Sequence, residues 1–202
     1  MEILDPWSPV IFRSNFIGTD FKAVIDRFER IKDQIPENVA LEKDGGLSSV
    51  AYSKTTHDHP HMWEELKTFR KWAHDILNEA TRKWMIGGVP YRPVDSWINK
   101  HERGAWTDEH NHRGPGFVVT YYLSVPENSG RILFRDPLEY HWGSSYGMQD
   151  GGNRTLWYPI DIKTGDIVLF PGWLYHKTEA SQSDEPRYVM STNFDLARDG
   201  FK

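Results

Sequence analysis

The residues best placed to do chemistry are three histidines and one arginine in the second half of the chain. His110, Asn111 and His112 open a predicted strand, and alternate residues of a strand project to one face, so both imidazoles can address one ion. A lone His-x-His is also what two exposed histidines look like. His176 strengthens the metal reading, because it follows the strand IVLF and the turn PGW and can bring a third imidazole from another strand. Imidazoles from two strands, with coordination positions left open, suit iron(II) and oxygen chemistry. Eleven residues further on, Arg187 begins RYVMSTNF behind the polar turn EASQSDEP. A buried arginine beside a metal is costly unless it meets an anion, and its planar fork fits a carboxylate bidentately, which points to a dicarboxylate. At the edge of a sheet the same arginine would simply be exposed.

The elements that must position these groups change character along the chain. Pro9 to Phe16 reads as a short strand, and Asp20 to Gln34 as a helix with Phe21, Val24, Ile25, Phe28 and Ile31 at helical spacing, closed by Pro36. A Gly-Gly turn lies between Asp44 and Leu47, and Ser48 to Ser53 is expected to be a strand. A second helix is expected from Pro60 to Trp84, with an apolar stripe that includes Trp63, Leu66, Phe69, Trp72, Ile76 and Leu77. From Tyr91 onward the pattern becomes that of strands: Val94 to Asn99, Phe117 to Val125, Arg131 to Phe134, Trp157 to Ile162, Asp166 to Phe170 and Arg187 to Phe194. The expected architecture is one domain over residues 1–202, mainly β with α. Scaffold helices fill 1–90, and a β-sandwich or barrel core fills 91–202. The Gly/Ser-rich stretch from Tyr140 to Asn153 is long enough to be a lid, with Trp142, Trp157 and Trp173 as candidate walls of a substrate pocket.

Composition narrows the chemistry further. A chain of 202 residues can bury an ordinary core. The net charge of −5, with both signs interspersed, lacks the basic footprint of a nucleic-acid binder. With no cysteine there can be no disulfide, zinc-thiolate site or thiol catalysis, so a metal must use His, Asp or Glu. No signal-like N-terminus and no run long and apolar enough for a bilayer are present, so a soluble, cytoplasmic protein is expected. The nine tryptophans exceed what packing ordinarily needs and suggest either large core residues or an aromatic pocket. His57, His59 and His61 precede a helix in a polar segment and are read as a solvated loop.

From Ser96 to Phe194 the chain resembles the 2-oxoglutarate and iron(II)-dependent oxygenases, especially the prolyl-hydroxylase-like branch and small bacterial and phage members. The resemblance is carried, in order, by GAWTDEHNH, VVTYYLSVP, SGRILFRDP, TGDIVLFPGWLYH and PRYVMSTNF. It implies a double-stranded β-helix core of the jelly-roll or cupin kind, an iron(II) site, 2-oxoglutarate as cosubstrate, and hydroxylation with release of succinate and carbon dioxide. Residue by residue it makes His110 the first metal ligand, His176 the distal ligand and Arg187 the partner of the cosubstrate's C5 carboxylate. Tyr122 and Asn99 match positions that contact the cosubstrate in some members. The substrate is expected to be a small molecule or a peptide, with no membrane or nucleic-acid partner, and a homo-oligomer is left open.

One position departs from that family. Where its carboxylate ligand stands, this chain has His112, which would make a three-histidine site. A carboxylate from Asp108, Glu109 or Asp136 is an alternative. A register slip is another, with His112 as first ligand and Gly114 at a vacant third position, as in halogenating members. Two further readings stay open: a cupin-type three-histidine enzyme that does not use 2-oxoglutarate, and a non-catalytic β-sandwich with a binding or assembly role.

Overall fold

A computed structural model describes residues 10–37, 41–84, 91–139 and 156–197. The Tyr140 to Asn153 stretch and Trp142 lie outside them. The strands are β1 (Phe12–Asn15), β2 (Glu42–Lys43), β3 (Leu47–Ser48), β4 (Tyr91–His101), β5 (Trp106–Thr107) and β6 (Phe117–Ser124). They continue with β7 (Ile132–Arg135), β8 (Trp157–Ile160), β9 (Asp166–Pro171), β10 (His176–Thr178) and β11 (Arg187–Leu196). A six-stranded antiparallel sheet, in the order β1-β9-β6-β11-β4-β3, faces a three-stranded sheet, β10-β7-β8, and a short β2-β5 pair. This is a double-stranded β-helix, as the resemblance implies.

The large sheet is buried on both faces, which is why FVVTYYLS reads as one continuous apolar run. Phe117, Val119, Tyr121 and Leu123 of β6 join Ile167 and Leu169 of β9 and Met190 of β11 beneath the helices. Their alternate neighbours Val118, Tyr122, Val168, Phe170 and Val189 point the other way, toward Ile132, Phe134 and Leu174 of the small sheet side. The sheet therefore has a structural face and an interior face, and the period of two decides which residues reach the interior.

Helix α1 (Phe21–Ile31) begins where the Asp20 carboxylate accepts the Ala23 amide, and it buries Val24 and Phe28 on the sheet. Two 3₁₀ turns lead into α3 (Lys67–Trp84). Phe69 stacks on Tyr121 at 4.1 Å between ring centres, and Trp63 is likewise in the core. Trp63 and the partly buried Trp72 are thus packing. The N-terminal part is more than helical scaffold: β1 extends the large sheet beside β9, tied there by Arg13 and Asn15 to the buried Asp166 carboxylate, and β3 extends it beside β4.

Two expectations are corrected here. Ser48 to Ser53 is not a strand. After β3 the chain turns into helix α2 (Val50–Thr56), because Ser49 takes both edge groups of Ile98: its amide donates to the Ile98 carbonyl and its hydroxyl accepts the Ile98 amide. With that edge capped, Ser53 donates back to Ser49 and a helix starts.

The second correction concerns the three clustered histidines. His57 is exposed and ends α2 in the left-handed conformation, as a loop residue would, but His61 is buried. Ser96 Oγ accepts the His61 amide at 2.9 Å and lies 2.8 Å from the ring nitrogen Nδ1, which fastens the imidazole in place. Burial first, then the charges of His59 and Arg70, lower its pKa from 6.5 to about 4. The unfolded chain binds this proton near 6.5 and the folded chain only near 4, so stability is complete above that window and is lost as pH falls through it. Thermal unfolding of the His61→Asn variant is expected to depend less on pH across this range than that of the parent.

Candidate metal centre

The two segments that carry the histidines are stitched by their backbones. His110 and His176 exchange amide hydrogen bonds of 3.0 and 2.9 Å in an isolated antiparallel bridge, and the His112 amide donates to the Gly172 carbonyl at 2.9 Å. As a result one ring nitrogen from each of His110, His112 and His176 lies within 4.8 Å of those of the other two. Among the described residues this is the one group of histidines and carboxylates that could hold a metal ion.

The proton on each imidazole follows from its neighbours. His110 Nδ1 is 2.8 Å from the Asp108 carbonyl and His176 Nδ1 is 2.9 Å from the Leu174 carbonyl; a carbonyl only accepts, so both Nδ1 atoms carry hydrogen. His112 Nδ1 faces Asn193 Oδ1 at 2.6 Å and is fixed in the same way. All three rings therefore keep the Nε2 lone pair for a ligand bond, with the outer nitrogen held by a second partner. Burial lowers all three pKa values, that of His112 to about 4, and the mutual repulsion of the rings adds to this for His112 and His176. At neutral pH the cluster is uncharged and ready to coordinate. Three neutral nitrogen donors with no carboxylate fit iron(II) and give a centre one unit more positive than a two-histidine, one-carboxylate set.

The support of His112 is close-packed. Trp97 stacks on its ring with centres 5.5 Å apart, and a Cβ added to Gly172 would stand 2.3 Å from the Pro115 carbonyl oxygen and 3.2 Å from that of His112. Gly172→Ala must push this strand away, and a drop in iron affinity of about tenfold or more is expected in metal titration.

The three histidines border a cavity of about 560 Å³, within the range of small-molecule sites. Asn99 and Tyr122 line it as well. Asn99 Oδ1 is buried with no hydrogen-bond partner among the described residues, and burial pushes the Tyr122 phenol up to about 12, so it stays protonated. Arg187 is fully buried rather than at the cavity wall. Its Nη1 donates to the carbonyls of Ser129 and Gly130 at 2.8 and 2.9 Å, and its Nη2 lies 2.7 Å from Nδ1 of His101, which does line the cavity. Among the described residues no carboxylate pairs with Arg187, and its Nε has no partner.

The alternative carboxylates are engaged elsewhere. Asp108 is exposed and pairs loosely with Lys43 at 3.8 Å, Glu109 meets Arg135 at 2.5 Å, and Asp136 accepts the Leu138 amide. Trp157 and Trp173 do not line this cavity: Trp157 lies under the Lys177 ammonium, and Trp173 is half exposed. The tryptophan that does line it is Trp97. Sequence reading missed it together with Asn193, His101 and Glu42. The alternation of β4 (Trp97, Asn99, His101) and of β11 (Val189, Ser191, Asn193) was the available signal for all of these except Glu42. Val50 and Lys54, one helical turn apart on α2, also reach the cavity, and the strand expected there hid them.

Fold and site together define a double-stranded β-helix protein in which three clustered histidines that could hold a metal ion line an interior cavity. A family model described as "Putative 2OG-Fe(II) oxygenase" matches residues 95–195, half of the chain, and the chain belongs to that family. Its cofactor and cosubstrate are accordingly iron(II) and 2-oxoglutarate. The fold is shared with a Pseudomonas putida prolyl-4-hydroxylase at 14% identity, covering 94% of each chain with a TM-score of 0.61. It is shared also with a viral collagen prolyl hydroxylase from Paramecium Bursaria Chlorella virus-1, solved as a 2-oxoglutarate complex (12% identity, 91% and 94% covered, TM-score 0.58). HygX from Streptomyces hygroscopicus, solved with iron bound, is similar at 11% identity (94% and 83% covered, TM-score 0.56). No curated protein matches the sequence. No helix among the described residues is long and apolar enough to cross a membrane.

Proposed function

We propose that this oxygenase hydroxylates a small-molecule or peptide substrate, with iron(II) held by His110, His112 and His176 and the C5 carboxylate of 2-oxoglutarate received by Arg187. The observation that carries the reading is the common state of the three imidazoles, each with its outer nitrogen spent on an oxygen acceptor and its inner lone pair left to a shared ion. When bound, iron(II) and 2-oxoglutarate supply the oxidation of a C–H bond, coupled to decarboxylation of the cosubstrate to succinate.

The chain's own part is binding and orientation. Asp108, Leu174 and Asn193 fix the ligand rings. Arg187, with two unused N–H donors, holds the far end of the dicarboxylate, and Asn99 and Tyr122 offer polar groups along the wall between. Val50, Lys54, Val94 and Arg113 surround the outer part of the cavity, where a substrate would be placed and water displaced. Purified protein reconstituted with iron(II) is expected to convert 2-oxoglutarate to succinate in the presence of oxygen and ascorbate. Succinate formation that does not depend on added iron, or no binding of 2-oxoglutarate by the iron-loaded protein, would sink this reading.

A further inference from the structure

Behind the part of the cavity wall formed by His101 and Thr107 lies a buried chain of groups that metal binding leaves unexplained. Glu42 is 4% exposed and His101 fully buried. A guanidinium only donates, so at the 2.7 Å contact between Arg187 Nη2 and His101 Nδ1 the imidazole must accept. The ring proton of the neutral histidine is then on Nε2, which faces Glu42 Oε2 at 2.9 Å and Thr107 Oγ1 at 2.9 Å. The Thr107 hydroxyl in turn donates to the Glu42 carboxylate at 3.0 to 3.1 Å. Carboxylate, imidazole and guanidinium thus form one directed chain in which every proton position is determined.

That chain leaves Arg187 with a defined remainder. Of its five N–H groups, two go to the Ser129 and Gly130 carbonyls and one to His101, so that among the described residues Nε–H and one Nη2–H are left, the number that a bidentate carboxylate takes. Gly130 itself has no latitude: its φ is +83°, and a Cβ there would stand 2.7 Å from the Glu179 carbonyl oxygen. Both His101 and Thr107 line the cavity, and the Thr107 amide donates to Thr178 Oγ1 on the strand of His176, which joins this end to the metal-bearing strand. For stability alone, well-packed apolar side chains would replace such a buried ionic chain at little loss.

We propose that Glu42 and His101 are positioning residues for the cosubstrate, acting through Arg187: Glu42 fixes the imidazole, and the imidazole holds Nη2 so that the two remaining donors face a carboxylate. The proposal rests on the assignment of Arg187 made above. Glu42 also supplies a negative charge one imidazole away from the guanidinium, so the arginine is offset without its free donors being occupied.

The test compares 2-oxoglutarate with 2-oxobutyrate, which has the same chelating 2-oxo acid but no distal carboxylate, in calorimetric titrations of the iron-loaded protein without oxygen. The parent is expected to prefer 2-oxoglutarate. His101→Leu is expected to lose about tenfold of that preference, with 2-oxobutyrate and iron affinities unchanged. His101→Asn, whose carbonyl oxygen can replace Nδ1 as acceptor, should stay within about threefold of the parent. Glu42→Leu leaves the arginine's contact atom in place and also reports if His101→Leu does not fold; a loss of about threefold or more is expected. A parent with no preference overturns the Arg187 assignment itself. A preference kept in full by both His101→Leu and Glu42→Leu overturns the positioning role alone, because Arg187 would then be reading the carboxylate without them.

Discussion

Replacing Arg187 with methionine is expected to weaken 2-oxoglutarate binding about 100-fold or more while leaving iron(II) bound, because truncating one side of a buried charge-assisted pair costs ~2–5 kcal/mol. The size follows from the site. The guanidinium is fully buried, has no carboxylate partner among the described residues, and keeps an unsatisfied Nε. Burial alone lowers its pKa from the ordinary arginine value, the sign of a cation placed where it is costly to hold unless an anion arrives. Methionine matches the length of the stem but none of the fork. Arg187→Lys keeps a charge without the planar geometry and is expected to recover only part of the affinity. Both variants also lose contacts to the Ser129 and Gly130 carbonyls, so a lower melting temperature is expected and binding should be compared at a temperature where each remains folded. Titration of iron-loaded protein with 2-oxoglutarate decides the matter, and an affinity unchanged by Arg187→Met would remove the residue from the site.

The second large effect is at the metal. His176→Ala takes away a ligand on the strand that also pairs with His110 and leaves two imidazoles, so iron affinity is expected to fall by at least about 100-fold and 2-oxoglutarate turnover to vanish. His112 allows a sharper test. His112→Ala should behave like His176→Ala, whereas His112→Asp places a carboxylate at the third position and should retain iron, with a centre one unit less positive and a changed redox character. Iron content by metal analysis and the absorbance of the iron–cosubstrate chelate read both. If His112→Ala binds iron and turns over as the parent does, His112 is not a ligand, and both the three-histidine site and the vacant-position reading that makes His112 the first ligand fail.

Much of this site was legible before any coordinates. His110 and His112 are separated by one residue, so a strand-like backbone must bring them to one side, and His176 follows an apolar strand and a turn that can only deliver it from a second strand. Arg187 heads RYVMSTNF, but its burial was left open by the sequence, because an edge strand would have exposed it; it is buried because that run is the central strand β11. Segments with repeating local patterns were also recovered: α1 by its helical spacing, β6 and β9 by continuous apolar runs. The strand expected over Ser48 to Ser53 failed because Val50 and Tyr52 favour a strand locally, while the competing bonds that led into a helix came from Ile98, about fifty residues away. His61 failed for a similar reason, since its burial depends on Ser96.

What the sequence by itself determined, then, is the order of the three histidines and Arg187 and the family pattern that carries them; the strand expected at His110 to His112 is only an isolated bridge at His110, with His112 in the loop after it. Only the tertiary structure decided the proton positions. Whether an imidazole presents Nε2 or Nδ1 depends on which oxygen meets its other nitrogen, and those oxygens belong to Asp108, Leu174 and Asn193, brought in by turns and a neighbouring strand. The same holds at the anion end, where Glu42 reaches His101 through the pairing of β2 with β5. The Asp108 and Leu174 contacts are local turns, but those of His112 with Asn193 and of His101 with Glu42 join residues 81 and 59 apart in the chain, and sheet register, which no local spacing encodes, sets them.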